Sequence, residues 1–226
     1  MSDPAVVHPS RGIAPIRRHQ TTGEEIANSI SHGLALLASL VGAPLLIAHA
    51  VRYHGFLDVV GASVFGVSMV LMYLASLLYH VMPHHKGKHV YRVFDHVAIF
   101  VLIAGTYTPF ALGVLRGFWG WTILCLVWAL ALTGILSKLF GGFRHPKASM
   151  TLYLGMGWLV LLVIRPLYLH MPFAGVLWLL AGGVAYTLGT PFFAVDERMR
   201  YGHFIWHLFV IAGTVCHYFA VFGYAA

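Results

Sequence analysis

Seven apolar stretches, each about 20 residues or longer, take up most of this 226-residue chain. They run over 28–51, 57–82, 94–115, 119–140, 149–170, 172–195 and 203–224. As an α-helix, a run of about 20 residues crosses a hydrocarbon layer about 30 Å thick. A single soluble core cannot hide so much apolar surface: 59% of the residues are hydrophobic and 9% are charged, against about 25% charged in soluble domains. Lipid is the expected solvent. No alternating ten-residue pattern marks the strands of a membrane barrel. The breaks between stretches carry turn or charge signals: YHGFLD, MPHHKGKHVYR, RGFWG, GGFRHPK, HMPF and VDERMRYG. The expected fold is all-α, an integral membrane bundle of seven transmembrane helices over residues 23–226, preceded by a flexible tail over 1–22.

Orientation follows from the cations. With the N-terminus in the cytoplasm, Arg11, Arg17, Arg18, Lys86, Lys88, Arg92, Lys138, Arg144, Lys147, Arg198 and Arg200 lie inside. Arg52, Arg116 and Arg165 lie outside. That asymmetry obeys the positive-inside rule and places the C-terminus outside, in the plasma or inner membrane. The net charge of +7 is scattered between apolar runs, which suits topology rather than nucleic-acid binding. Residues 1–25 hold no apolar core, so no cleavable signal peptide is expected and the first apolar stretch serves for targeting. Cys125 and Cys216 both lie inside apolar runs, where neither a disulfide framework nor a thiolate metal motif is available.

Ionisable groups inside membrane spans are functional candidates by default. Of the 15 histidines, His8 and His19 fall in the tail, and His84, His85, His89 and His145 in cytoplasmic loops. His49, His54 and His170 fall near outer ends. His203 and His207, in GHFIWHLFV, are i and i+4, about 40° apart around a helix and one turn along it. Such a pair can bind one metal ion, as the pair of HExxH does. His80 closes the second span and Asp95 opens the third, so topology brings all four to one depth. Ser76 is one turn deeper than His80. Asp95 and His96 are about 100° apart, so only one can point squarely into a shared site. His217 is about 21 Å along the axis from His203 and reads as a hydrogen-bonded core histidine. Glu24, Asn28 and His32 form a stripe suited to capping, to helix-to-helix hydrogen bonds or to support of the site.

EEIANSISHG at the start of the first span, SLLYH at the end of the second, FDH opening the third and HFIWH opening the seventh together resemble the hemolysin III family. This is the bacterial branch of the progestin and adipoQ receptor superfamily, and the resemblance covers residues 21–224. It implies seven transmembrane helices, a cytoplasmic N-terminus and one Zn²⁺ near the cytoplasmic side. The zinc-binding histidines of the family fall on His80, His203 and His207. The aspartate that approaches the metal through water falls on Asp95, and the motif serine on Ser76. Hormone reception does not carry over.

Three imidazoles with an open fourth position is the ligand count of a catalytic zinc site. Asp95 is suited to general acid–base work and Ser76 to binding a developing oxyanion. A substrate that reaches a metal inside a helix bundle is expected to be a membrane lipid, and hydrolysis of a ceramide-like lipid amide is what some relatives suggest. Two other readings stay open: a pore-forming cytolytic protein, as the family name suggests, and a membrane regulator whose zinc is purely structural.

Overall fold

A computed structural model describes residues 18–83, 87–141 and 146–225. Arg11, Arg17, Lys86 and Arg144 of the charge count, the histidines at 8, 84, 85 and 145, and the tail up to residue 17 lie outside the described residues. Among the described residues there is helix and no strand. The helices are α1 (Thr22–Tyr53), α2 (Phe56–Val81), α3 (Lys88–Leu112), α4 (Phe118–Leu139), α5 (Pro146–Gly157), α6 (Ile164–His170), α7 (Phe173–Ala194) and α8 (Gly202–Tyr224). A 3₁₀ segment, Trp158–Val163, joins α5 to α6, and the three together make the fifth of seven membrane-length segments. The chain is a multi-pass membrane protein.

The first and third helices begin six residues before the apolar stretches that announce them. α1 starts early because Thr21 and Glu24 form a capping box: the Thr21 hydroxyl accepts from Glu24 N–H, and the Glu24 carboxylate accepts from Thr21 N–H. That polar first turn is buried rather than solvated, with Glu24 2% exposed. Part of the expected tail is therefore held in place. Arg18 donates from Nη1 and Nη2 to Glu24, each at 2.6 Å, and Gln20 accepts from Asn28 at 2.8 Å. The Glu24 hydrogen bond raises the Arg18 pKa, so the guanidinium stays charged.

Membrane solvation inverts the usual amphipathic logic. On α1 the residues turned outward are Ile26, Ile30, Leu34, Leu37, Val41 and Leu45, all exposed. The inward stripe is Asn28, His32, Ala35, Ser39, Ala43, Leu46 and Ala50, at three- and four-residue spacing. Small residues let helices approach closely where lipid gives no hydrophobic drive between them. α1 packs on α2 and α8, α2 on α3, α3 on α4, and α7 on α8. α3 is the most enclosed span, with Phe100 and Ala104 fully buried against Val127 and Ala131 of α4 and Met156 of α5.

The fifth segment breaks where a side chain enters its hydrogen-bond ladder. The Tyr107 hydroxyl accepts from Val160 N–H at 2.8 Å and lies 2.9 and 2.8 Å from the Met156 and Gly157 carbonyls. The irregular turn thus precedes Pro166, which continues within α6. Arg165 is exposed.

Because spans alternate in direction, the starts of α1, α3, α5 and α8 share one end of the bundle with the ends of α2, α4 and α7. At the opposite end Asp58 accepts from Gly55 N–H at 2.9 Å and pairs with Arg116 at 2.6 Å. α2 and α3 touch through Gly61, where an added Cβ would stand 2.6 Å from Pro109 Cα. Gly61→Ala is expected to cost about 1–3 kcal/mol, read as a lowered unfolding temperature in detergent. Gly155→Ala, whose added methyl meets nothing within 4 Å, should leave that temperature unchanged or raise it.

Candidate metal centre

Three helix ends meet at the end of the bundle where α1 begins. α2 brings His80 in its last turn, and α8 brings His203 and His207 in its first two. One ring nitrogen from each lies within 4.8 Å of the others, and all three residues are buried. Ring centroids are 5.0 Å apart for His80–His203, 5.0 Å for His80–His207 and 4.7 Å for His203–His207. His80 Nε2 is buried with no hydrogen-bond partner. A bare imidazole nitrogen in a low-dielectric interior is costly, and a cation at the common point would satisfy it.

Each histidine is anchored through its Nδ1. His80 Nδ1 is 2.8 Å from Glu25 Oε2, His203 Nδ1 is 2.8 Å from Asp196 Oδ2, and His207 Nδ1 is 3.1 Å from Ser31 Oγ. Glu25 is gripped by Lys88 as well, with Nζ 2.6 Å from Oε1. The start of α8 is fixed from α1: Tyr201, the left-handed residue before the helix (φ 58°), donates its N–H to Glu24 at 2.7 Å. Arg18 adds a bond to the Met199 carbonyl at 3.1 Å.

Asp95 and Ser76 are both deeply buried, and Asp95 Oδ1 and Ser76 Oγ have no hydrogen-bond partner. Asp95 is not among the groups that converge within 4.8 Å. Of the adjacent pair, Asp95 is the enclosed one. His96 turns toward α4, where its Nδ1 is 3.4 Å from Lys138 Nζ. His217 sits apart, its Nε2 3.2 Å from the Leu179 carbonyl, as a packed core histidine.

His32 joins the cluster: its ring stacks on His207 with centroids 3.5 Å apart and planes 5° from parallel, and both its nitrogens lack partners. The Glu24–Asn28–His32 stripe therefore divides its work. Glu24 caps α1 and fastens the α8 start, Asn28 reaches to 3.4 Å from His80 Nδ1, and His32 packs on a candidate ligand. No motif in the sequence singles out Glu25, Ser31, Lys88 or Asp196 as part of the cluster. Glu25 is i−3 from Asn28 and i−7 from His32, a stripe as regular as the one from Glu24. Asp196 lies in a turn that reads only as a break.

An apolar cavity of about 130 Å³ lies within the bundle, and none of His80, His203, His207, Ser76 and Asp95 lines it. Its walls include Met72, one turn beyond Ser76, and Ile99, one turn beyond Asp95, together with Phe193 and Trp206. The Phe193 ring is 5.9 Å from that of His203 and 5.4 Å from that of Trp206.

The family described as haemolysin-III related matches residues 20–218. The chain is 45% identical to the hemolysin-3 homolog of Bacillus subtilis over 204 residues, 90% of this chain and 95% of that protein. It is 45% identical to hemolysin-3 of Bacillus cereus over 208 residues, 92% of this chain and 94% of that protein. Human monocyte to macrophage differentiation factor is 26% identical over 217 residues, 92% of this chain and 87% of that protein. No solved structure matches.

If the cluster binds a cation in the folded state, that binding adds to stability. A divalent transition metal at about 100 times its Kd should contribute about 2.7 kcal/mol, read as a raised unfolding temperature of chelator-treated protein. His207→Ala should lose the increment.

Proposed function

Because the chain belongs to the haemolysin-III related family, we propose that His80, His203 and His207 hold one zinc ion and that the protein hydrolyses an amide bond of a membrane lipid, ceramide being the type. The observation that carries this reading is the convergence of three buried imidazoles; Asp95 Oδ1 and Ser76 Oγ are buried as well, and an apolar cavity is walled by residues one turn beyond each of them. Among the described residues the converging donor set is three nitrogens, without thiolate or a fourth protein ligand, which fits a zinc site with an open position. When bound, zinc supplies Lewis acidity and makes hydroxide available near neutral pH.

The rest of the chemistry falls to this chain. The cavity takes the acyl chain, so that the amide lies at the level of Ser76 and Asp95. Asp95 removes a proton from the attacking water, whose oxygen bonds to the amide carbon. The Ser76 hydroxyl donates to the carbonyl oxygen as charge develops on it. Asp95 then delivers its proton to the nitrogen as the carbon–nitrogen bond breaks, giving a free fatty acid and an amine. Burial of both groups excludes bulk water and strengthens each interaction.

In this reading the site faces the cytoplasm of the plasma or inner membrane, on the side that collects cations. Membrane lipids are substrate and solvent alike. Purified protein given fluorescent ceramide-type amides in mixed micelles should release fatty acid. Asp95→Asn should lower the rate at least about 100-fold, the scale of a lost general acid–base group, with zinc content unchanged. Zinc retained without turnover on any lipid amide would leave the metal structural and the hydrolase reading wrong.

A further inference from the structure

We propose that Glu25, Ser31 and Asp196 are positioning residues that fix all three histidines in one tautomer, with the proton on Nδ1 and the lone pair on Nε2. The inference rests on the metal reading for its purpose, but its geometry stands without it. α1 and the turn before α8 supply no ligand of the proposed metal, yet among the described residues they supply the groups that hold the ligands.

The argument is a count of protons. A carboxylate at neutral pH only accepts. Glu25 Oε2 and Asp196 Oδ2, each 2.8 Å from an Nδ1, therefore require N–H at His80 and His203. Lys88 occupies the other oxygen of Glu25 at 2.6 Å and orients that carboxylate. Ser31 is less obvious, because a hydroxyl both donates and accepts. Its one proton is committed to the Asn28 carbonyl at 2.9 Å. Toward His207 Nδ1, at 3.1 Å, Ser31 Oγ can only accept.

The Asn28 amide nitrogen, 3.4 Å from His80 Nδ1, offers the opposite assignment. A bare Nδ1 there would face the Glu25 carboxylate lone pairs at 2.8 Å, so the shorter contact decides. All three protons lie on the outer nitrogens, and three Nε2 lone pairs remain for the inside. Such outer hydrogen bonds set the ring orientation and raise the basicity of the inner nitrogen. Two of the three come from α1, so docking of that helix, through Arg18 and Glu24, governs whether the cluster is ready to bind.

Two measurements test this. In metal-free protein labelled with ¹⁵N-histidine, at mildly alkaline pH, the three resonances lost in a His80→Ala, His203→Ala, His207→Ala series should each report protonated Nδ1 and bare Nε2. An Nε2–H form in the wild type overturns the assignment whether or not zinc binds. By chelator competition, Glu25→Gln, Ser31→Ala and Asp196→Asn should each weaken Zn²⁺ binding about 10–100-fold. Asp58→Asn, a buried carboxylate at the opposite end, should leave the affinity unchanged. Asp196 lies half-buried in a turn, so its variant tests the idea with little risk to folding, and Asp196→Glu should restore part of the loss. Affinity equal to wild type in all three variants would overturn the positioning role. A wild type that takes up no zinc but shows the Nδ1–H forms would support positioning and defeat the metal reading alone.

Discussion

Polar groups buried in lipid have no water to turn to, so every donor and acceptor must be answered within the bundle. The chain obeys this almost throughout its described spans. Tyr107 answers a broken ladder, Trp128 donates to Thr108 at 3.2 Å, Trp158 to Thr187 at 3.1 Å, and Tyr218 to the Gly42 carbonyl at 3.0 Å. Against that background, most of the unanswered atoms, among them those of Asn28, His32, Ser76, His80 and Asp95, gather at one end of the molecule, with His217 Nδ1 apart from them. The rest of the architecture makes sense as the means of holding them there.

The scaffold does so by turning small and polar residues inward and large apolar ones toward lipid. α1 is the clearest case. Its outer face is an uninterrupted band of exposed Ile, Leu and Val, while its inner face carries Asn28, Ser31, His32 and Ser39. Glu24 ties the head of α1 to the head of α8, and Glu25 ties it to the end of α2. Three segments far apart in sequence are thereby fastened at one level. The family relationship covers nearly all of this arrangement, since the match begins at residue 20, where the polar head of α1 begins.

Much of this was legible beforehand. Apolar length gave seven spans, and the i, i+4 spacing of His203 and His207 with the alternation of span direction set His80 and Asp95 at their depth. The polar first turns of α1 and α3 were missed because hydropathy sees only what lipid touches; capping and buried ion pairs extend those helices beyond it. The 3₁₀ segment at Trp158–Val163 depends on a tyrosine from another helix, so no local pattern announces it. Glu25 was passed over for Glu24 because adjacent residues differ by about 100° around a helix. Only the packed position of α2 decides which of them meets His80. Asp196 is invisible for the opposite reason, since a turn has no periodicity to read. The cavity is a property of five segments together and of no single one.

The central claim is that three imidazole nitrogens, one from α2 and two from α8, share a single zinc ion. X-ray absorption at the zinc edge, on protein purified without chelator, tests it most directly. The account predicts one zinc per chain with three nitrogen neighbours at about 2.0–2.1 Å and one oxygen completing a tetrahedron. A protein free of bound metal, or a zinc whose shell contains sulfur or lacks the three imidazoles, would contradict it.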